Sequence, residues 1–251
     1  PVSGALQFGL APEDEARAAA LDGLAKGRRQ AVALVPDNDW GARTLRAFEE
    51  TYTSQGGRLL DSVSIQAGTQ DFGDAMRDLL KLEDSRSRHR QLTQVLGTSS
   101  EFEPRPRQDA DLLFAPLRAD EIRALAPQLG FFRAGRLSTY VISAAHGGQV
   151  DQQLEGLTLC DMPWVMSGSG SVDEQRARDA LNFPLPVRNQ PRLFALGRDA
   201  FDLARALAGG TLHHLQNHPG ATGRLQVTPG GRVLRTLECH RVVDGRARAG
   251  T

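Results

Sequence analysis

The sequence predicts an α/β protein built around a mainly parallel β-sheet. Short apolar runs alternate along the chain with amphipathic segments of helical period. This alternation is typical of strand-helix-strand units, whose strands run parallel to one another. With 251 residues, of which 40% are hydrophobic, the chain can bury one large core or two smaller ones.

The first half of the chain contains the clearest alternation. A helix is expected to begin at Pro12, because proline fits the first helical turn and the three acids that follow favour the positive end of the helix dipole. The run QAVALVP then predicts a buried strand, and the turn DNDWG leads into an amphipathic helix. The predicted helices of this half are 12–26, 42–55, 72–82 and 120–129, and the predicted strands are 30–36, 59–65, 111–117 and 138–143.

The second half repeats the pattern and then changes. GLTLCDMPWV predicts a strand at 156–160, and Ser171 with Glu174 forms an S-x-x-E box that can cap a following helix. RLFALGRDAFDLARALAGG predicts another helix. The last 30 residues have short alternating segments broken at 229–231 and 244–245, which is typical of antiparallel hairpins.

Residues 84–109 interrupt this alternation with a polar stretch that contains RSRHR. It has too few periodic apolar residues for a core element, so we expect a surface loop or a partly disordered insertion. Its arginines have no interleaved aromatic residues, so a solvated segment is favoured over a phosphate-binding one.

Charge and cysteine content limit the classes of partner. Thirty basic and thirty acidic residues give a net charge of zero, so no global field favours nucleic acid or an anionic membrane. The longest apolar runs are far shorter than the roughly 20 residues that span a bilayer. Cys160 and Cys239 are too few for a disulfide scaffold. We expect them to be buried free thiols, with a single bridge as the alternative in an oxidising compartment.

The usual catalytic, cofactor and metal motifs are missing from the sequence. SGSGS at 167–171 lacks the third glycine of a dinucleotide loop and a Walker lysine, and no G-x-S-x-G elbow occurs. His214 and His218 have a helical spacing for a metal, but no acid lies between them, and Pro219 is expected to end a helix there. We therefore expect no catalytic residue, no cofactor and no metal.

Polar residues at strand ends are the candidates for a ligand cleft. VPDNDWG and APLRADE lie where a parallel strand passes into its helix, and open α/β sheets bind ligands at such points. The alternative, slightly favoured, is that these residues only cap helices and form turns. The candidate cleft residues are Asp37, Asn38, Asp39, Trp40, Arg118, Ser143, Asp161 and Trp164.

Five stretches, in order, resemble the C-terminal domain of the LppC/LpoA lipoproteins: FGLAPEDEARAAA, DADLLFAPLRADEIRALAPQL, LEGLTLCDMPWV, LFALGRDAFDLARAL and GATGRLQVTPGGRVLRTLECHRV. The resemblance covers nearly the whole chain. It implies a type I periplasmic-binding-protein-like fold, with two Rossmann-like lobes joined by three crossovers. It also implies an outer-membrane lipoprotein that faces the periplasm and activates a class A penicillin-binding protein in peptidoglycan synthesis.

The resemblance supplies a domain map with a first lobe that is truncated at its N-terminus. Residues 1–10 and 136–221 would form the partial first lobe, and 11–135 with 222–251 the second. The chain would cross between lobes near 9–12, Gly135 and 220–223. The lipid-anchoring cysteine is absent from this chain, so the outer membrane is expected as a partner only through that anchor. A truncated lobe would expose apolar surface, and we expect self-association there.

The function expected from these observations is that of a non-enzymatic periplasmic regulator acting by protein-protein contact on a class A penicillin-binding protein. The alternative is a periplasmic receptor whose two lobes close on an amino acid or similar small polar solute. In that case Asp37 or Asp39 would be the acid that binds the ligand's amino group. An α/β enzyme is a weaker third reading.

Overall fold

A β-sheet of seven strands organises most of the chain. A computed structural model describes residues 5–96, 102–147, 150–166, 171–211 and 216–249. The sheet consists of β1 (Gln30–Pro36), β2 (Arg58–Ile65), β3 (Leu112–Phe114), β4 (Ser138–Ile142), β5 (Thr158–Asp161), β9 (Glu238–Val243) and β10 (Arg246–Ala249). Their order is β10-β9-β5-β4-β3-β1-β2. The first five strands are parallel, as predicted, and the last two are antiparallel.

The remaining strands form a small antiparallel sheet of β6 (His218–Gly220), β7 (Gly223–Val227) and β8 (Val233–Thr236). The helices are α1 (Pro12–Ala25), α2 (Asp39–Ser54), α3 (Gly73–Leu79), α4 (Leu82–Leu96), α5 (Ala119–Phe131), α6 (Ser171–Asn182), α7 (Pro184–Asn189) and α8 (Pro191–Ala208).

Both faces of the central strands β1, β3, β4 and β5 are buried, which explains why these strands are predominantly apolar, whereas the edge strands β2 and β10 are partly exposed. In β1, Val32 and Leu34 face one side and pack with α3 and α5. Ala33 and Val35 face the other side and pack with α1 and α2. The small residues of this second face leave room for the alanine-rich surface of α1 to lie close to the sheet.

The C-terminal hairpin extends the large sheet next to β5. Asp244 and Gly245, the two turn residues between β9 and β10, have φ of 54° and 67°, as a type I′ turn requires. Cys160 of β5 lies directly opposite Cys239 of β9, and the two are joined by a disulfide with an S–S distance of 1.96 Å. The expectation of free thiols is therefore wrong. Their cross-strand pairing could not be read from a sequence separation of 79 residues.

The sheet pairing corrects the expected domain boundaries. β4 and β5 were assigned to the first lobe, but β4 pairs with β3 and β5 pairs with β4. The chain therefore does not leave this unit near Gly135. It leaves after Asp161, since β4 and β5 continue the alternation that builds the parallel sheet.

The rest of the chain forms a small unit of α6, α7, α8 and the three-stranded sheet. Gln7 joins this sheet by pairing with Arg232. In the described residues the chain passes between the two units at three places: near Ala11, at 162–164, and at Leu237 between β8 and β9. Residues 220–223, where the chain was expected to cross between lobes, instead form the tight connection between β6 and β7 within the small unit.

Residues 82–96 form helix α4, which corrects the expected surface loop at 84–109. Only a narrow stripe of this helix contacts the protein, and the stripe is partly polar. Ser85 is buried and its hydroxyl accepts a hydrogen bond from the Arg105 amide at 3.1 Å, while His89 stacks on Phe102. A search for periodic apolar residues misses a helix of this kind. Residues 97–101 of the predicted loop lie outside the described residues.

Candidate functional site

The carboxyl edge of the parallel strands is the candidate functional site. In open α/β sheets this edge is where ligand crevices form, because the strand-to-helix loops meet there. All eight residues predicted to line a cleft lie at or just beyond this edge, in the segments that follow β1, β3, β4 and β5. The edge has an exposed part and a buried part, and their chemistry differs.

The exposed part serves as the start of two helices. Asp37, Asn38 and Asp39 are exposed, and the Asn38 side chain caps α2 by accepting a hydrogen bond from the Gly41 amide at 2.9 Å. Trp40 is half-buried and packs against the core.

Arg118 is also exposed, and the segment that follows it caps α5. Its backbone amide donates to Glu121 Oε2 at 2.8 Å, while Glu121 Oε1 accepts from the Gly68 amide at 2.8 Å. Asn38 caps α2 and Glu121 caps α5, so both loops show the helix capping that the sequence slightly favoured.

The buried part is built around Asp161, the last residue of β5. Its side chain is 0% exposed and lies against Arg192, which comes from the first turn of α8 in the small unit. Arg192 Nη1 donates to Oδ1 at 2.8 Å and Nη2 donates to Oδ2, which makes the pair bidentate. The ion pair therefore joins the two units.

His146 adds a further donor to Asp161. Its Nε2 lies 2.7 Å from Asp161 Oδ2, and we place the ring hydrogen there because a carboxylate only accepts hydrogen bonds. The Met162 amide donates to Oδ1 at 2.7 Å. Although burial alone raises the pKa of Asp161, the hydrogen bonds from His146 and Arg192 lower it below its ordinary value.

Glu15, on the first turns of α1, is a second buried acid in the same place. It is 2% exposed, and its Oε2 accepts a hydrogen bond from the Ser143 amide at 3.0 Å. Burial, and then the negative charge of Asp161, raise the pKa of Glu15 from 4.5 to about 7. We call Glu15, Ser143, His146, Asp161 and Arg192 the carboxylate cluster.

Trp164 lies beside the carboxylate cluster, at the passage between the units. It is fully buried, and its ring stacks on Phe194 of α8 with ring centroids 5.7 Å apart. Its amide donates to the Ala221 carbonyl at 3.1 Å, and its own carbonyl accepts from Arg176 at 2.6 Å. The passage at 162–164 is thus tied to the β6–β7 connection and to the first helix of the small unit.

A third set of buried charges holds the passage near Ala11 and the β6–β7 connection. Arg235 is 0% exposed, and it donates to Asp14 Oδ2 at 3.2 Å and to the Ala11 carbonyl at 3.0 Å. Asp199 of α8 accepts from the amides of Ala221 and Thr222, both at 2.8 Å. The junction between the units is therefore held by buried charges whose hydrogen-bonding capacity is used within the protein.

The two carboxylates of the carboxylate cluster are buried, and their oxygens bind groups within the protein. Both side-chain oxygens of Asp161 are occupied, and His146 is 3% exposed. Among the described residues no group of three or more His, Cys, Asp or Glu side chains is placed to hold a metal. His214 and residues 167–170 lie outside those residues, and His218 belongs to β6 rather than to a helix end.

Sequence reasoning found Ser143 and Asp161 but missed their partners. Glu15 was counted with the acids that favour the helix start, although it precedes the buried Ala18 and Ala19 by three and four residues and so shares their face. Arg192 lies in a predicted helix and is 46 residues from His146, so no spacing could link them.

Comparison with known proteins places the chain in a family. A family model described as "LppC putative lipoprotein" matches residues 1–245. The chain belongs to the LppC family. A relative in this group, the penicillin-binding protein activator LpoA of Vibrio cholerae serotype O1, is 26% identical over 230 residues, which are 90% of this chain and 37% of that protein. The LppC chain thus spans little more than a third of the length of that relative.

Solved structures show the fold of this LppC chain. The LpoA C-domain from Haemophilus influenzae, described as a regulator of PBP1A, superposes with a TM-score of 0.64 and 20% identity, covering 98% of this chain and 69% of that one. The leucine-binding protein LivK of Thermotoga maritima gives a TM-score of 0.57 at 16% identity, covering 96% and 65%. The predicted periplasmic-binding-protein-like fold is confirmed. The described residues of the LppC chain contain no helix long and apolar enough to cross a membrane.

Proposed function

We propose that this chain is a non-enzymatic periplasmic regulatory domain that activates a class A penicillin-binding protein by direct contact. Membership of the LppC family and the relatives that are penicillin-binding protein activators support this proposal. The disulfide between Cys160 and Cys239 agrees with a location in the oxidising periplasm. In the whole protein, the lipid of an LppC lipoprotein would attach the domain to the outer membrane.

The observation that carries the proposal is the buried ion pair between Asp161 and Arg192 at the carboxyl edge beside β4 and β5. A solute receptor presents polar side chains to its ligand there and closes its lobes around it. In this chain the carboxylate of Asp161 at this edge is 0% exposed and is bound by Arg192 of the other unit. A domain fixed in this way offers a constant outer surface, as docking to another protein requires.

The receptor alternative is supported by fold likeness, and a fold does not determine a ligand. Its strongest candidate acids, Asp37 and Asp39, lie at the start of α2 and are exposed. Between them, the side chain of Asn38 caps α2 by accepting a hydrogen bond from the Gly41 amide. This geometry favours the contact-mediated function.

The test is to add this chain to a purified class A penicillin-binding protein. Binding is measured by surface plasmon resonance, and transpeptidation by chromatography of cross-linked product. We expect saturable binding and faster cross-linking, whereas a leucine-binding protein of the same fold, used as the control, should do neither. Absence of binding and of any rate change would refute the proposal for this chain. Binding without a rate change would refute activation.

A thermal-shift screen with the twenty amino acids tests the receptor alternative in parallel. Ligands that bind the native state raise the melting temperature, because they stabilise that state by RT ln(1 + [L]/Kd). We expect no saturable rise from a free amino acid at the carboxyl edge. A rise that Asp37→Asn and Asp39→Asn abolish would favour the receptor and contradict the proposal.

A further inference from the structure

A cavity of about 500 Å³ lies between the two units, on the flank of α1, and shares no residue with the carboxylate cluster. One wall is a single stripe of α1, whose residues are spaced three and four apart. The opposite wall comes from β7, β8 and the start of β9, so it includes the passage of the chain at Leu237. A molecule in this cavity would therefore contact both units.

The uncharged part of the lining is mainly apolar. Ala18 and Leu21 line the cavity from the helix, and Leu234, Leu237 and the bonded Cys239 line it from the strands. Leu21 is 45% exposed, although it belongs to a helix that is otherwise well packed. A large apolar side chain that is open to solvent within a concave site is the usual floor of a small-molecule pocket.

The charged residues on the helix side of the cavity are paired within the protein. Lys26 pairs with Asp22 at 2.8 Å. Asp14 pairs with both Arg17 and Arg235, at 2.9 Å and 3.2 Å. Two bases share one acid there, so the Asp14 end of α1 has one positive charge in excess.

Glu238 offsets this excess charge. It lies opposite Asp161 in the pairing of β5 with β9. Ser143 follows β4 at the level of Asp161, and its amide is bound by Glu15, the neighbour of Asp14 on α1. The strand register thus places Glu238 at the same end of the helix as Asp14.

The lining as a whole is electrically neutral. Its three acids and three bases are Asp14, Asp22, Glu238, Arg17, Lys26 and Arg235. Burial lowers the pKa of His240, so this ring is also neutral at pH 7. A charged ligand would find no uncompensated charge of opposite sign, and it would lose hydration on entering, so the cavity favours an uncharged ligand.

We propose that this cavity binds an uncharged, mainly apolar small molecule. At the roughly 30 Å³ that a water molecule takes in the liquid, 500 Å³ holds about 16 non-hydrogen atoms. The apolar part of the ligand would cover Leu21, Leu234 and Leu237. Gln226 and Thr236 line the same cavity and can exchange hydrogen bonds with one uncharged polar group.

The test is fluorescence titration of the folded chain with N-phenyl-1-naphthylamine. This dye is uncharged, has about the expected size, and emits more strongly in apolar surroundings. Its 8-sulfonate derivative has the same ring skeleton and one negative charge. We expect saturable binding of the uncharged dye and a Kd about tenfold higher for the sulfonate, whose charge would lose hydration without gaining a partner.

Two substitutions on opposite walls test where the dye binds. Leu21→Trp and Thr236→Trp each place a bulky indole in the cavity, and each should raise the Kd of the uncharged dye about tenfold. Both positions are exposed, so neither change alters the packed core. Leu185→Ser is the control, since it removes an exposed apolar side chain from α7 and should leave the Kd unchanged. Melting temperatures verify that each variant is folded.

Absence of a saturable signal, or equal affinity for the dye and its sulfonate, would overturn the proposal. So would an unchanged Kd in either cavity variant, or a raised Kd in Leu185→Ser, since the dye would then bind at α7. A Kd that rises with protein concentration would show a second copy in the cavity and would also overturn it. The synthase assay contains no dye or added ligand, so failure of this site leaves the proposed regulatory function unaffected.

Discussion

Glu15→Gln is the substitution that tests the carboxylate cluster most directly. Glutamine has nearly the same shape, and its carbonyl oxygen can still accept the hydrogen bond from the Ser143 amide. It lacks the negative charge that is buried beside Asp161. The variant therefore separates the cost of that charge from the cost of lost packing.

The expected magnitude follows from the pKa of Glu15, which burial and the charge of Asp161 raise from 4.5 to about 7. This rise corresponds to about 3 kcal/mol at 1.36 kcal/mol per pKa unit. A raised pKa means that the native state holds the proton more tightly than the unfolded state. Wild-type stability therefore falls as the pH rises from about 4.5 to about 7. The variant has no such loss, so it should gain about 3 kcal/mol relative to the wild type over this range.

Urea unfolding of both proteins at pH 4, 5, 6, 7 and 8 measures this difference. Comparison at equal pH cancels the titration of all other groups. Glu13→Gln is the matched control, since Glu13 lies two residues earlier on α1 and pairs with the exposed Arg43. Its difference from the wild type should stay within about 1 kcal/mol at every pH. A constant difference for Glu15→Gln across the range would refute the account of the cluster.

Three further perturbations test the junction, the disulfide and the apolar surface. Arg192→Gln leaves Asp161 buried without its ion pair and should lower the free energy of unfolding in urea by about 3 kcal/mol. The control Arg198→Gln, which breaks an ion pair within the small unit, should lower it by less than about 1 kcal/mol. Equal losses would contradict the conclusion that the Asp161–Arg192 pair holds the two units together. Reducing the disulfide of Cys160 frees a loop of 79 residues and should lower stability by about 4 kcal/mol, and an unchanged melting temperature would argue against the bridge. Leu185 is 68% exposed among apolar neighbours on α6 to α8, so the chain should self-associate and Leu185→Ser should weaken this in light scattering. A wild-type monomer at all concentrations would contradict that prediction.

The sequence predicted the central strands of the large sheet well, because these strands are buried on both faces and are therefore predominantly apolar. QAVALVP became β1 as expected, and the Asp244-Gly245 turn became the expected hairpin. The position of the lobe boundary was not predictable in the same way. β4 and β5 have the same apolar pattern in either lobe, and only pairing with β3 decides which sheet they join.

The candidate site shows a similar limit. Asn38 could be predicted as a cap because capping is a contact within four residues. Asp161 could be located at a strand end, but its partners depend on contacts across 15 and 31 residues and between two units. Ion pairs between residues so far apart leave no periodic or local pattern in the sequence. A single sequence, read alone, therefore locates the acid but not its partner.

The buried charges also bear on the choice between the proposed regulatory function and the receptor alternative. Receptor lobes rotate about their crossover segments when a solute binds. In this chain the segment at 162–164 is fastened on both sides, by Asp161 to Arg192 and by Trp164 to Ala221. Opening the junction would expose Asp161 without its ion pair, at the cost of several kcal/mol that breaking a buried pair requires. Solute binding would have to supply that energy, whereas docking of another protein to the outer surface leaves the junction unchanged.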